Sequence, residues 1–231
     1  MGLMQGRGVL CLALLAVLSG CFSGRPVTKF YSLALRLPPA DPAQQRSETL
    51  LVGRFNAREP YAQGRLVYRP GDFQVGYYNY HMWGSLPAEQ LGEWTVRWLR
   101  ATGRFPRVVS LSEGAADLVL GGTLREFDEI DRGDHWDAAL AIDFWLARPE
   151  QVVPPWLKSY RRECRAERRN PEAIAKALSR CLEGVLSELS QELPAAIATL
   201  IATLPAPGCQ NKSRHMIFPG HSGWWRTESC Y

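Results

Sequence analysis

Apolar residues recur along this chain at three different spacings, and each spacing predicts a different kind of element. Val9 to Leu18 is an unbroken ten-residue apolar run, preceded by Arg7 and followed by Ser19-Gly20-Cys21. Beyond it, Thr28 to Leu37 mixes aromatic and apolar residues and predicts a first strand, ended by Pro38-Pro39. Leu50 to Phe55 is a second, short enough and apolar enough to be central. Arg65 to Arg69 and Gln74 to Tyr78 flank Pro70-Gly71-Asp72, a turn tripeptide, so they predict a hairpin. Its second arm continues to Trp83. Strict alternation puts Val75, Tyr77, His81 and Trp83 on one face and Tyr78, Tyr80 and Met82 on the other. Large amphipathic aromatics on both faces admit two readings: a central strand covered on both sides, or a strand that docks a partner.

The period then changes. Ser85-Leu86-Pro87 opens a helix, with Ser85 placed to cap it, and Leu91, Trp94, Trp98 and Leu99 form a buried stripe before Gly103 stops it. Phe105 to Leu111 and Asp117 to Phe127 return to strand. Within the latter, Gly121-Gly122 reads as close backbone packing or a bulge. Trp136 to Ala147 is the cleanest alternation in the chain, with Trp136, Ala138, Leu140, Ile142, Phe144 and Leu146 pointing one way. Pro154-Pro155 is expected to interrupt its partner, leaving Trp156 to Arg161 as a short edge segment. Lys158 to Arg169 carries six basic residues against Glu163 and Glu167 and reads as a solvated loop, the alternative being a run that touches anionic lipid or an acidic partner. Asn170-Pro171-Glu172 caps a long helix whose stripe is Ile174, Leu178, Cys181, Leu182, Val185, Leu186, Leu189 and Leu193. Pro194 kinks or restarts that helix, which could run to Leu204. The expected fold class is α+β: a mostly antiparallel sheet with two helices packed on one face, a two-layer sandwich.

The N-terminal run is too short to span a bilayer, and its basic residue, apolar stretch and small pair have the layout of a secretory signal peptide. The cysteine directly after Ser19-Gly20 resembles a bacterial lipobox. On that reading Cys21 is alkylated with diacylglycerol, the chain is cut before it, and the new amine is acylated. Phe22, in place of the aspartate that retains many lipoproteins at the inner membrane, points to the outer membrane and its periplasmic face. The formal net charge of +4 falls to +3 without the leader, too small to argue for nucleic acid. Cys164, Cys181, Cys209 and Cys230 form no CxxC and have no metal-ligand spacing. Cys209 and Cys230 could pair in an oxidising compartment, while Cys181, on an apolar stripe, reads as a buried inert thiol.

Catalytic chemistry finds little to stand on. Asp134-His135-Trp136-Asp137 could offer ligands, yet no HxxxH accompanies it, and Gly220-His221-Ser222-Gly223 lacks the last glycine of a nucleophile elbow. No catalytic residue, metal or cofactor is expected, and the chain does not read as an enzyme.

Leu66-Val67-Tyr68-Arg69, the run Val75 to Trp83, Pro87, Leu91, Gly103 with Phe105, Ala116-Asp117 and the closing helix together resemble the ABC-type transport auxiliary lipoprotein component family. The resemblance spans roughly Phe30 to Leu204. It implies an envelope lipoprotein that works with an inner-membrane ABC transporter and an MCE-domain substrate-binding protein, moving phospholipid or other hydrophobic cargo between membranes. The resulting division is 1–20 signal peptide, 21–27 lipidated tether, 28–204 auxiliary lipoprotein domain and 205–231 flexible tail. Cys21 is the lipid attachment site, and Tyr77, Tyr78, Tyr80 and Trp83 are the candidate partner-binding residues. A homo-oligomer is left open. The competing expectation is a structural lipoprotein that braces the cell wall or an outer-membrane assembly.

Overall fold

The computed structural model describes residues 26–41 and 46–202. The leader, Cys21, Cys209, Cys230 and the tail lie outside the described residues. Eight strands form one sheet: β1 (Lys29–Tyr31), β2 (Thr49–Ala57), β3 (Arg65–Gly71), β4 (Gln74–Trp83), β5 (Arg107–Ser110), β6 (Leu118–Asp131), β7 (Trp136–Ala147) and β8 (Trp156–Arg165). Among the described residues two helices, α1 (Pro87–Thr102) and α2 (Pro171–Ala202), complete the α+β fold.

The sheet is built around β6, which is 14 residues long. One edge of β6 takes β7 antiparallel. The other is shared end to end: β2 pairs with Leu118 to Leu124 and β3 with Asp128 to Ile130, both parallel. β5 then pairs with β2 and β1 with β4, again parallel, while β4 on β3 and β8 on β7 are antiparallel. The expectation of a mostly antiparallel sheet is therefore corrected to a mixed sheet in which parallel pairings, four of seven, are the majority. The physical reason lies in the connections. The short ones, β3 to β4, β6 to β7 and β7 to β8, turn back as hairpins must. The loop from β2 to β3 does not reverse the chain but carries it onward along β6, and α1 is a crossover that returns β5 parallel to β2.

Both helices lie on one face. α1 packs on β2 and β5, α2 on β7 and β8, and they meet each other. The α2 stripe from Ile174 to Leu193 is buried throughout, as is the inward set of β7 from Ala138 to Leu146. Gly121 and Gly122 are the close-packing positions anticipated. A Cβ on Gly121 would stand 2.1 Å from the Trp145 ring, and one on Gly122 would stand 2.5 Å from Phe55. Capping of α1 differs from expectation: Leu86, not Ser85, is the N-cap residue, and Glu89 accepts its backbone N–H. Pro87 is the first helical residue and Gly103 closes the helix at φ 65°.

Four further expectations are corrected. The first strand is three residues long rather than reaching Leu37. From Leu33 the chain runs between the helices, where Gln90 Oε1, Ser179 Oγ and Glu183 Oε1 accept the N–H groups of Leu33, Ala34 and Arg36 at 2.7, 3.1 and 2.6 Å. Those helix side chains replace a ladder. Secondly, Pro154-Pro155 precedes β8 instead of truncating it, and ten consecutive residues of β8 pair with β7. Thirdly, the basic run is largely strand, not loop. Arg161 bonds Glu126 and Glu163, Arg162 bonds Glu188, Lys158 bonds Glu192, and Arg169 bonds Asp131. Lastly, Cys181 is no free thiol but is disulfide-bonded to Cys164, joining α2 to β8.

α2 continues through Pro194 to Ala202 as one helix. Proline has no N–H to give the carbonyl four residues back. That carbonyl, on Ser190, accepts instead from Arg104 Nη1 at 2.6 Å, and Arg104 also pairs with Asp41 at 3.0 Å. Replacing Arg104 with methionine leaves a part-buried carbonyl without its donor and is expected to cost about 2 kcal/mol. A fall in the denaturant midpoint checks this, and an unchanged midpoint would show that the helix manages its proline unaided.

Candidate docking surface on the aromatic hairpin

The β3–β4 hairpin stands at one side of the sheet, held by β3 against the far end of β6 and covered at its outer edge by β1. Its arms grip through aromatic side chains. A Cβ on Gly76 would lie 2.3 Å from the Tyr68 ring, so glycine is what lets Tyr68 lie across the partner strand. Tyr68 meets Tyr78 at 5.0 Å between centroids, Tyr78 meets His81 at 5.2 Å, and Tyr31 of β1 stacks on His81 at 5.7 Å. The Tyr31 hydroxyl and His81 Nδ1 hydrogen-bond at 2.7 Å. Tyr78 donates to Glu129 Oε2 at 2.9 Å. Burial pushes the Glu129 carboxyl up to about 7, against the Tyr78 hydrogen bond, which pulls it down. Burial likewise raises Tyr31 and Tyr78 and lowers His81, the last with help from the Lys29 charge.

A second polar group fixes the base of the hairpin. Tyr61, in the β2–β3 loop, donates to Asp128 Oδ2 at 2.7 Å, and Arg69 Nε donates to the same oxygen. Arg69 Nη2 also donates to the Tyr61 hydroxyl at 2.9 Å. Burial raises Asp128, while its two donors favour the carboxylate. The adjacent acids Asp128 and Glu129, both buried, thus pin the hairpin through Arg69, Tyr61 and Tyr78.

Pairing shifts register between Arg65 and Val67, which stand opposite Met82 and Tyr77. This irregularity breaks the alternation expected along β4, and Tyr78 and His81, assigned to opposite faces, touch. The four candidate partner-binding residues accordingly differ. Trp83 is buried and packs on Phe127 at 4.8 Å. Tyr78 is tied inward to Glu129. Tyr77 is half-buried, and Tyr80 is exposed. Phe30, in β1, and Phe73 and Val75, at the turn, are exposed apolar residues that the sequence reading passed over. The available signal was an aromatic side chain placed directly after Gly71-Asp72, where a turn is ordinarily polar.

β1 pairs with β4 only at His81 to Trp83. Among the described residues, the outer edge of β4 from Gln74 to Tyr80 has no strand partner. Such an edge offers backbone donors and acceptors to an incoming strand or loop. His135 is elsewhere, in the β6–β7 turn, between Asp134 Oδ1 at 2.6 Å and Asp137 Oδ2 at 3.4 Å. Among the described residues no three His, Cys, Asp or Glu side chains converge as metal ligands would.

The family model for ABC-type transport auxiliary lipoprotein components matches residues 31–190. No curated protein matches the sequence. Among solved structures, protein XCC0632 of Xanthomonas campestris is similar at TM-score 0.67 and 21% identity, over 76% of this chain and 100% of that one. An uncharacterized protein is similar at TM-score 0.58 and 18% identity, over 72% of this chain and 99% of that one. At those identities the likeness is one of fold.

Proposed function

Because the chain belongs to the family of ABC-type transport auxiliary lipoprotein components, we propose that it is the lipid-anchored, periplasm-facing member of an ABC transport system, seated in the outer membrane through Cys21. Its partners on this reading are an MCE-domain periplasmic protein and the inner-membrane transporter, and the cargo is phospholipid or another hydrophobic molecule. Its role is docking rather than catalysis. The observation that carries the docking role is the edge of β4 from Gln74 to Tyr80, which has no strand partner among the described residues and lies beside exposed Tyr80 and Phe30. An extended partner segment would gain main-chain hydrogen bonds there and bury two aromatic rings.

The test is a mild-detergent pull-down of the mature lipoprotein from its native envelope, with mass spectrometry of what accompanies it. Wild type is expected to recover the MCE-domain protein or its transporter. Tyr80→Ser is expected to reduce that recovery about tenfold or more, the scale of an interface hot spot. Tyr78 is a poor choice for this purpose, since its loss would strip Glu129 of a donor. Recovery of only cell-wall components, with the transporter expressed, would instead favour a bracing lipoprotein. Undiminished recovery by Tyr80→Ser would leave the transport role standing and move the contact elsewhere.

A further inference from the structure

Phe73 is the most exposed large apolar side chain among the described residues, at 100% of its free area, and Val75 beside it is 44% exposed. They sit at the tip of the hairpin. Arg69 stands opposite Ile130, and the hairpin goes on through Gly71 to its turn, which is level with the turn over residues 132–135 that joins β6 to β7 and carries the exposed Asp134. Arg165, opposite Asp137 and so at the level of Ile130, is exposed at the same end, and Arg168 follows it in the loop.

The register of β1 says which way the tether leads. β1 runs parallel to β4, with Lys29 opposite His81, so the chain preceding Lys29 departs on the side of the hairpin turn. Cys21 is eight residues before Lys29, and Phe73 is eight residues before His81. An extended chain spans at most about 3.3–3.6 Å per residue. The reach from Lys29 to Cys21 therefore equals the length of β4 from His81 back to Phe73. A lipid on Cys21 can enter a bilayer no farther from Lys29 than the hairpin tip itself extends.

From this equality we infer that the β3–β4 tip is a second membrane contact, with Phe73 and Val75 dipping into the leaflet that holds the Cys21 lipid and Arg165 and Arg168 near its phosphates. The inference rests on the lipid anchor proposed above. An aromatic and a branched aliphatic side chain suit the boundary between headgroups and acyl chains, and arginine at that level meets anionic lipid. The anchor alone would leave the domain free to tumble on its tether. A second contact fixes its attitude, with the long axis of β4 upright and the Tyr80 edge held away from the bilayer.

The acylated full chain is reconstituted in vesicles of phosphatidylethanolamine and phosphatidylglycerol, carrying Phe73→p-benzoylphenylalanine or, as a control, Tyr80→p-benzoylphenylalanine. Irradiation is expected to give phospholipid adducts at position 73, at least tenfold more than at position 80. A folded, acylated chain with no lipid adduct at 73 would overturn the inference and leave the anchor intact. Equal adducts at the two positions would also overturn it, since the domain would then lie on its side. An N-terminal peptide without acyl mass would remove the anchor and, with it, the inference.

Discussion

Glu129→Gln is expected to stabilise the folded chain by about 3 kcal/mol at pH 8 and to leave it unchanged near pH 4. Glu129 is almost wholly buried, and burial raises its carboxyl from 4.5 to about 7. The folded state therefore holds a proton that the unfolded chain releases between those values. Stability from this group is fully present below about 4.5 and is lost as pH rises to about 7, because there the folded state binds more protons. Each unit of difference is worth 1.36 kcal/mol, which sets the scale of about 3 kcal/mol. Glutamine keeps an acceptor for the Tyr78 hydroxyl but carries no charge to bury. Chemical denaturation of both proteins from pH 4 to pH 8 measures the difference directly. Other titrating groups, including Asp128 and His81, are common to both and cancel. Parallel pH profiles would show that the carboxyl is ionised without penalty, through solvation that its burial does not suggest.

This acid occupies a position where sequence pattern and structure part company. Glu129 lies just beyond Phe127, where the expected strand stopped, because nothing in the run from Asp128 to Asp134 signals burial. Its burial depends on β3 and β4, some fifty to sixty residues earlier, folding over the end of β6. The same distance in sequence hides the parallel pairings and the brevity of β1, whose successors bond to Gln90 and Ser179 on the helices. What was legible came from local regularity. The alternation of β7, the α2 stripe and the hairpin around Pro70-Gly71-Asp72 each follow from neighbours within a few residues, and the Gly-Gly pair inside a strand pattern marked the close approach of Trp145 and Phe55 without naming them. For the candidate residues, alternation gave the strand but not the faces: the register shift opposite Arg65 and Val67 decided which rings turn inward, and alternation cannot foresee a bulge. Trp83 therefore went to the core and Tyr80 to the surface, while Phe73 escaped notice.

Replacing Cys164 and Cys181 together with alanine is expected to cost about 3 kcal/mol. The two are 17 residues apart, and closing a loop of that size removes about 3 kcal/mol of conformational freedom from the unfolded chain. Position adds to the effect. β8 is an edge strand whose inner edge pairs with β7, and besides packing its grip on α2 comes from Tyr160 and Lys158 at Glu192, Arg162 at Glu188 and Arg180 at the Arg165 carbonyl. Pairs that exposed contribute only about 0–1 kcal/mol each. Without the bond, β8 should open ahead of the rest of the sheet and bare the edge of β7, a template for association between copies. Hydrogen exchange is expected to rise along Trp156 to Arg165 while Leu118 to Leu124, enclosed by β2 and β7, stays protected. Adding a reductant to the wild type should reproduce the loss, and a chain held in a reducing compartment should show it from the start. A denaturant midpoint indifferent to reductant would mean that the two sulfurs are not joined in solution. The attachment of β8 would then rest on its ladder with β7, the buried Tyr160 and the polar bonds to α2.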